Sequence, residues 1–445
     1  MTMQTPRWYA EKDQVHAGRE IEPLDVPVLS LEERDRRWAA LREKMFLRRL
    51  DCLVVVGTDL ASSTGIANVR YLTQIGPTLD AYVVFPLVGD PIVLYGAPHM
   101  HVPIGPTSQV AGAWVSDVRP DSGARGVLDA IAERGLGKRI GVVGYRHMLS
   151  PLSHVSAAFL DELRRGLPDA VITDETPLVE ELRMIKSDEE KAFLRRAGEI
   201  ARKRIAKMVQ TAQPGATEAE VWAAMEHEAI VSGGEPGTFN MFSSGPVTGP
   251  HAGRGQALLH GAEVPHTATQ RVLHEGDLLI CEFHTSYGGY LAGTEFSAFI
   301  GEAPDELRRL HDVAAEIVRM AKDLFVPGRT LREVYGTFHA HVEEQGIDFI
   351  ELGFHGHGLS SPEFPAVVYR EDDHGPLGLS GIGDIRLRED MVFGMNVDLH
   401  DPSWRRDVGV MLGDMVAVTP DGAEYLCDVP LDVFEIAVSG SPVSS

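Results

Sequence analysis

The feature that most constrains the fold is a repeat in the second half of the chain. Residues 214–220 (PGATEAE) and 327–333 (PGRTLRE) share the pattern PGxTxxE, a turn followed by a Thr/Glu capping box that begins a helix. The copies start 113 residues apart, and a second similar pair, residues 273–282 and 387–396, is offset by 114. Two matches at nearly one spacing predict a duplicated helix–helix–strand unit.

A duplicated α/β half often places a functional site between its two copies. The apolar runs at residues 277–283 and 391–399 are then expected to be central strands. Polar side chains within or just after such strands are costly unless they have partners. Those found there are Glu282, His284, Asn396, Asp398 and His400. The alternative is simple alternation, which would place them on a solvated face.

The first part of the chain alternates strand-like and helix-like runs. Ser30 and Glu33 have capping-box spacing before an apolar stripe, and residues 51–57 (DCLVVVG) form a short apolar run. Similar strand-like runs follow at residues 81–86 and 139–143. The pattern predicts an α/β domain over residues 1–180 and a larger domain over residues 181–445.

Composition narrows the classes of partner. The chain has 445 residues and a formal net charge of −24, which disfavours nucleic acid as a partner. We find no apolar run as long as the roughly 18–20 residues that a membrane span requires, and no signal-peptide core at the N-terminus. The three cysteines lack metal-site spacing, and their odd number argues against a disulfide framework. We therefore expect a cytoplasmic protein that acts on a small molecule.

Several short motifs resemble the creatinase/aminopeptidase P/prolidase group, whose catalytic domain has the "pita-bread" fold. The resemblance covers nearly the whole chain. It is carried by NVRYLT at 68–73, ELRMIKS at 181–187, PH at 265–266, GY at 289–290, GHG at 356–358, LREDMVF at 387–393 and GVMLGDMVAVTPDG at 409–422. The resemblance implies an α/β (α+β) chain with an N-terminal creatinase-type domain and a C-terminal pita-bread domain with internal duplication.

The resemblance also identifies where metallopeptidase members bind two divalent ions. Those five positions are Glu282, Gly293, His357, Asn396 and Gly413 in this chain. Two of them lack a side chain that could ligate and one is a neutral amide, so Glu282 and His357 remain. Because two ligands cannot hold two ions, we expect no metal and no other cofactor.

The creatinase branch of the group functions without metal, and Glu295 resembles the carboxylate with which it holds a cationic substrate. His266 resembles the creatinase catalytic histidine, and Arg370 the arginine that contacts a substrate carboxylate. The resemblance thus implies a metal-independent hydrolase that cleaves a C–N bond in a small polar nitrogen-containing compound. His266 would be the general base and acid, because a histidine pKa lies near neutrality.

We therefore assign His266, Glu295 and His357 as catalytic. The residues assigned to substrate binding are Glu282, Asn396, Arg370, His355, Tyr290 and His251. For each of them a structural or solvated role is the alternative. The resemblance further implies a homodimer in which the N-domain of one subunit lies near the site of the other, and Asp80 is the candidate residue there.

Three alternatives remain open. One is a metal-dependent Xaa-Pro peptidase or prolidase-like hydrolase, and another is a lyase of the kind that acts on dimethylsulfoniopropionate. Either would need one metal site rebuilt from Glu282, His357 and residues such as Asp398 or His400. The third is a non-catalytic pita-bread binding module.

Overall fold

The computed structural model describes residues 27–58, 65–76, 80–95, 114–119, 123–145, 148, 155–237, 239–247, 268–368, 382–405 and 407–438. His251, His266 and Arg370 lie outside these ranges, so their assigned roles remain predictions. The helices are α1 (Leu31–Arg48), α2 (Ala67–Thr73), α3 (Ala124–Glu133), α4 (Ala157–Gly166), α5 (Thr176–Arg183), α6 (Asp188–Thr211), α7 (Glu218–Val231), α8 (Asp305–Leu324) and α9 (Leu331–Glu344).

The strands form three sheets. They are β1 (Cys52–Thr58), β2 (Asp80–Pro86), β3 (Ile92–Tyr95), β4 (Asp117–Arg119), β5 (Arg139–Val143), β6 (Val171–Asp174), β7 (Asn240–Pro246), β8 (Asp277–Tyr287), β9 (Tyr290–Ile300), β10 (Asp348–Gly356), β11 (Glu363–Val367), β12 (Val392–His400), β13 (Gly409–Met411), β14 (Met415–Thr419), β15 (Gly422–Tyr425) and β16 (Glu435–Ile436).

The N-terminal sheet has the order β4-β3-β2-β1-β5-β6. Its central strand β1 pairs with β2 in antiparallel and with β5 in parallel orientation, so the sheet is mixed. Helix α1 begins at Ser30, whose side chain accepts a hydrogen bond from the Glu33 amide, and it buries Trp38 and Leu41 against the core. The apolar stripe read from the sequence is therefore the buried face of this helix.

The C-terminal domain contains the predicted duplication. Thr217 and Thr330 cap α7 and α9 with complete capping boxes to Glu220 and Glu333. In each copy the glycine of the PG turn donates its amide to the same place in the second repeated segment: Gly215 to the Leu273 carbonyl at 2.9 Å, and Gly328 to the Leu387 carbonyl at 2.8 Å. The repeated letters in the sequence thus correspond to repeated backbone contacts.

Each half of this domain supplies one sheet to the centre. The first half contributes β16-β9-β8-β7, and the second contributes β11-β10-β12-β14-β15 with β13 paired to β12. Helix α6 packs on β8 and β9, whereas α8 packs on β12 and β13. The mixed α/β class and the duplicated pita-bread domain are confirmed. In the described part of the chain, the helices are too short or too polar to cross a bilayer.

Candidate active site

The polar strand residues noted in the sequence converge where the two halves meet. In the β8–β9 hairpin, Glu282 lies opposite Glu295 and His284 lies opposite Gly293. A single β-bridge then joins Glu295 to Gly413, just before β14. The cross-strand register therefore brings side chains from both copies of the duplication into one place.

Glu295 is the centre of this group. It is 2% exposed, and its Oε1 accepts a hydrogen bond from Asn396 Nδ2 at 2.6 Å while its Oε2 accepts one from the Val397 amide at 3.1 Å. Asn396 Nδ2 also donates to Glu351 Oε2 at 3.1 Å. The two carboxyl acceptors fix the orientation of the amide, and they leave Asn396 Oδ1 without a partner among the described residues.

Four carboxyl groups share this buried space: those of Glu282, Glu295, Glu351 and Asp398. Burial, followed by repulsion from Asp398, Glu282 and Glu351, raises the pKa of Glu295 well above its ordinary value. Burial, followed by repulsion from Glu351 and Glu282, likewise raises the pKa of Asp398, although a hydrogen bond with Glu295 opposes the rise. Because a carboxyl–carboxyl hydrogen bond requires a proton, the raised pKa values of Glu295 and Asp398 favour one proton shared by the pair.

Three histidines adjoin one another near Gly293. The ring centroid of His357 lies 5.5 Å from that of His284 and 5.2 Å from that of His355. Burial lowers the pKa of all three, to about 3 for His284, and mutual repulsion adds to the effect at His357 and His284. These imidazoles are therefore neutral at pH 7.

The hydrogen bonds of His357 fix its tautomer. Nδ1 lies 3.0 Å from the Leu291 carbonyl, which can only accept, so Nδ1 carries the proton. Nε2 then accepts a hydrogen bond from the Ser361 hydroxyl at 2.9 Å. Both ring nitrogens of this histidine are occupied by protein groups.

An ion-pair network between the domains holds the segment that carries His357 and Ser361. Glu363, at the start of β11, accepts hydrogen bonds from Arg183 at 2.5 Å, Lys186 at 2.9 Å and the Ser360 amide at 3.2 Å. Burial by itself would raise the pKa of Glu363, but Arg183 and Lys186 outweigh it and lower the pKa to about 2. Glu363 is therefore charged across the physiological range.

The family's pair of metal ions does not fit the side chains at the five positions. A Cβ on Gly293 would lie 2.4 Å from His357 Nε2, and one on Gly413 would lie 2.2 Å from the Met395 carbonyl oxygen. A histidine side chain at Gly293 and a backbone carbonyl at Gly413 thus occupy the places where ligating side chains would begin. Within the described ranges, no three His, Cys, Asp or Glu side chains come together in a way that could hold a metal.

Other predicted site residues lie as follows. The hydroxyl of Tyr290 accepts a hydrogen bond from Arg37 of the N-terminal domain at 2.9 Å and donates one to Glu190 of its own domain at 3.0 Å, so the first of these contacts joins the two domains. His400, a candidate for a rebuilt metal site, lies 3.8 Å from Asp348. Asp80 is the first residue of β2, and burial raises its pKa.

Sequence reasoning missed Glu351, Ser361 and Glu363. Glu351 stands in the segment DFIELG, whose apolar residues indicate a strand but do not show that Glu351 itself is buried. Ser361 lies four residues after His357, and that local spacing was the one available signal. Glu363 could have been suspected only by knowing that α5 lies beside it.

Comparisons with known proteins agree with this architecture. The profile of metallopeptidase family M24 matches residues 192–420, and that of the creatinase/prolidase N-terminal domain matches residues 37–185. The probable dipeptidase PepE of Mycobacterium tuberculosis is 27% identical over 59% of this chain and 64% of its own length. The Xaa-Pro dipeptidase of Pyrococcus furiosus is 25% identical over 56% of this chain and 64% of its own length. The chain thus spans just under two thirds of these curated relatives.

Solved structures show the same fold. Dipeptidase PepE from Mycobacterium ulcerans superposes with a TM-score of 0.69 at 21% identity, covering 93% of this chain and 100% of its own. An X-Pro aminopeptidase from Thermotoga maritima gives a TM-score of 0.71 at 19% identity, covering 90% of this chain and 99% of its own.

These relatives contradict the prediction of a creatinase-like, metal-independent hydrolase of a non-peptide C–N bond, because those cited here are named as peptidases. The prediction put most weight on Glu295, which resembles the creatinase carboxylate, whereas relatives that match more than half of the chain are named as peptidases. Since the M24 profile matches just over half of the chain, the chain belongs to metallopeptidase family M24.

Proposed function

We propose that the chain is a hydrolase that cleaves the amide bond of a short peptide with a free α-amino group. The observation that carries this proposal is a group of four carboxyls at the meeting of the two halves, in which Glu295, Glu351 and Asp398 are buried and Glu282 is partly exposed. The names of the relatives, dipeptidase and Xaa-Pro dipeptidase, support a peptide as the substrate.

An ammonium group is the part of a short peptide that suits these carboxyls. The charged groups that shift the pKa values of Glu295 and Asp398 are other carboxylates, which repel them. A bound ammonium would offset that repulsion, since opposite charges at low effective dielectric attract strongly. The unpartnered Asn396 Oδ1 is a further acceptor for its N–H groups.

The same residues can move the protons that hydrolysis requires. Glu295 and Asp398 hold a proton between them that could be donated to the leaving nitrogen. Glu282, opposite Glu295 and partly exposed, could accept a proton from the attacking water. Each such role is typically worth about 10²–10⁴ in rate. The steps described here use only the chain's own residues, because the side chains at the five positions do not fit a pair of metal ions.

The test is a panel of dipeptides, including Xaa-Pro, with released amino acids measured by mass spectrometry. Each reaction is run with a chelator and with added Mn²⁺, Co²⁺ or Zn²⁺. We expect release that Glu295→Gln lowers by about 100-fold or more, and that Glu306→Gln, an exposed carboxyl on α8, leaves unchanged. Absence of release under every condition, or equal rates for Glu295→Gln and the parent, would refute the proposal.

A second candidate, a peptide-binding module without turnover, is favoured by Gly293, Asn396 and Gly413 at three of the family's five ligand positions. The same panel distinguishes it. Calorimetric binding of a dipeptide without any release of amino acids would support the module, whereas release would exclude it.

A further inference from the structure

A pocket of about 660 Å³ lies at the junction of the two domains, outside the candidate active site. Its walls come from α1, from α5 and the turn after it, from β11, and from the segment before β12. The lining side chains on which the argument depends are Arg386, Arg388, Ile185, Phe364 and Met391. A volume of this size is typical of small-molecule sites.

The charge inside this pocket is opposite to that of the chain as a whole. Four cationic side chains line it, against the single carboxylate of Glu181. Lys44 pairs with Glu181 at 2.6 Å, and Arg36 pairs with Glu33 at 2.7 Å, so these two cations are already neutralised.

Arg386 and Arg388 are different. Arg386 donates one hydrogen bond to the Gly328 carbonyl at 2.6 Å, and neither arginine forms an ion pair with a carboxylate in the described ranges. Both are exposed. The chain has a net charge of −24, but these two guanidinium groups, two residues apart, form a local positive charge that could bind an anion.

The rest of the wall is apolar. Met184, Ile185, Phe364, Ile385 and Met391 line the same pocket. Phe364 and Ile185 are only partly buried, so they present carbon surface that a ligand could cover. Such a wall would bind the body of a ligand by excluding water.

We propose that this pocket binds a small amphipathic anion, with its carboxylate or phosphate held by Arg386 and Arg388 and its apolar part against Ile185, Phe364 and Met391. Inorganic ions would lack the apolar contact, and neutral apolar molecules would lack the charge. The ligand would touch both domains, because the match to the N-terminal domain profile extends to Ile185, whereas Phe364 and Met391 lie within the M24 match. Binding should therefore raise the thermal stability of the whole chain.

The test uses octanoate, octyl phosphate, butyrate and inorganic phosphate as probes in calorimetric titrations of the full chain. We expect saturable binding of octanoate, octyl phosphate or both, tighter than that of butyrate or inorganic phosphate. The two octyl probes show whether a carboxylate or a phosphate is preferred. Arg388→Ala should weaken binding about tenfold or more, since a hydrogen bond to a charged group is worth roughly 1.5–3 kcal/mol.

Arg388→Ala is the informative variant, because the Arg388 side chain has no hydrogen bond or ion pair within the described residues and its removal should leave the fold intact. Arg165→Ala on α4, another exposed arginine, is the matched control. The proposal is overturned if neither octyl probe saturates, if chain length makes no difference, or if Arg388→Ala binds as the parent does. None of these outcomes bears on peptide hydrolysis, because the two sites share no residue.

Discussion

Replacing Glu363 with Gln tests the network that joins the domains beside the candidate site. The carboxylate of Glu363 is nearly inaccessible, as are its partners Arg183 and Lys186, whose side chains are 6% and 2% exposed. Glutamine preserves the shape but removes the charge. Two buried cations would then lose the carboxylate with which both of them pair, and removing one partner of a buried ion pair typically costs about 3–5 kcal/mol.

The pKa of Glu363 gives an independent magnitude. It falls from an ordinary value of 4.5 to about 2, because Arg183 and Lys186 outweigh the effect of burial. At about 1.36 kcal/mol per pH unit, that shift corresponds to about 3 kcal/mol of folding free energy. Since the pKa is lowered on folding, this stabilisation is fully present above pH 4.5 and is lost as the pH falls towards 2.

The assay is urea unfolding of the parent and Glu363→Gln between pH 7 and pH 3.5. We expect a difference of about 3 kcal/mol that is constant from pH 7 to about 5, then shrinks by up to 1.4 kcal/mol per unit below 4.5. Glu306→Gln is the control, because that carboxyl is exposed. A difference below about 1 kcal/mol at pH 7, or one that does not change with pH, would refute the reasoning.

Three further predictions concern the site and the repeat. Gly293→Asp should lower the melting temperature without adding bound metal, because its Cβ would lie 2.4 Å from His357 Nε2; near-stoichiometric metal by elemental analysis would contradict this. Asn396→Leu removes the donor shared by Glu295 and Glu351 and should abolish peptide release while the chain stays folded by circular dichroism. Thr330→Ala should cost about 1 kcal/mol in urea unfolding through loss of the α9 cap, and an unchanged midpoint would show that the cap is not stabilising.

Local signals in the sequence predicted much of the fold. The capping residues Ser30, Thr217 and Thr330 mark helix starts because each cap satisfies backbone groups within a few residues of itself. The apolar run at residues 139–143 is strand β5 with the same bounds. Such features depend on neighbours in the chain, so a single sequence contains them.

The contacts of the candidate site are of another kind. Asn396 was singled out as a polar residue in an apolar strand and Glu295 through its resemblance to the creatinase carboxylate, but their 2.6 Å hydrogen bond joins residues 101 positions apart. Glu351 enters the same group from β10, where it stands between the apolar residues Ile350 and Leu352. The relative placement of the two halves decides which carboxyls lie close together. The spacing of residues along the chain does not reveal that placement.

The substitutions at the family's ligand positions also affect packing. Gly293 and Gly413 lack the ligating carboxylates, and they also lack room for a side chain. The imidazole of His357 occupies the space that a Cβ on Gly293 would need, and the Met395 carbonyl occupies that of Gly413. Gly413 in turn exchanges backbone hydrogen bonds with Glu295, at 3.0 and 3.3 Å, and so holds the central carboxyl in place. A single reversal to the family's residue would therefore disturb His357 or Glu295 before it could add a ligand. For this reason the chain's activity is better tested through Glu295 and Asn396 than through attempts to restore a metal.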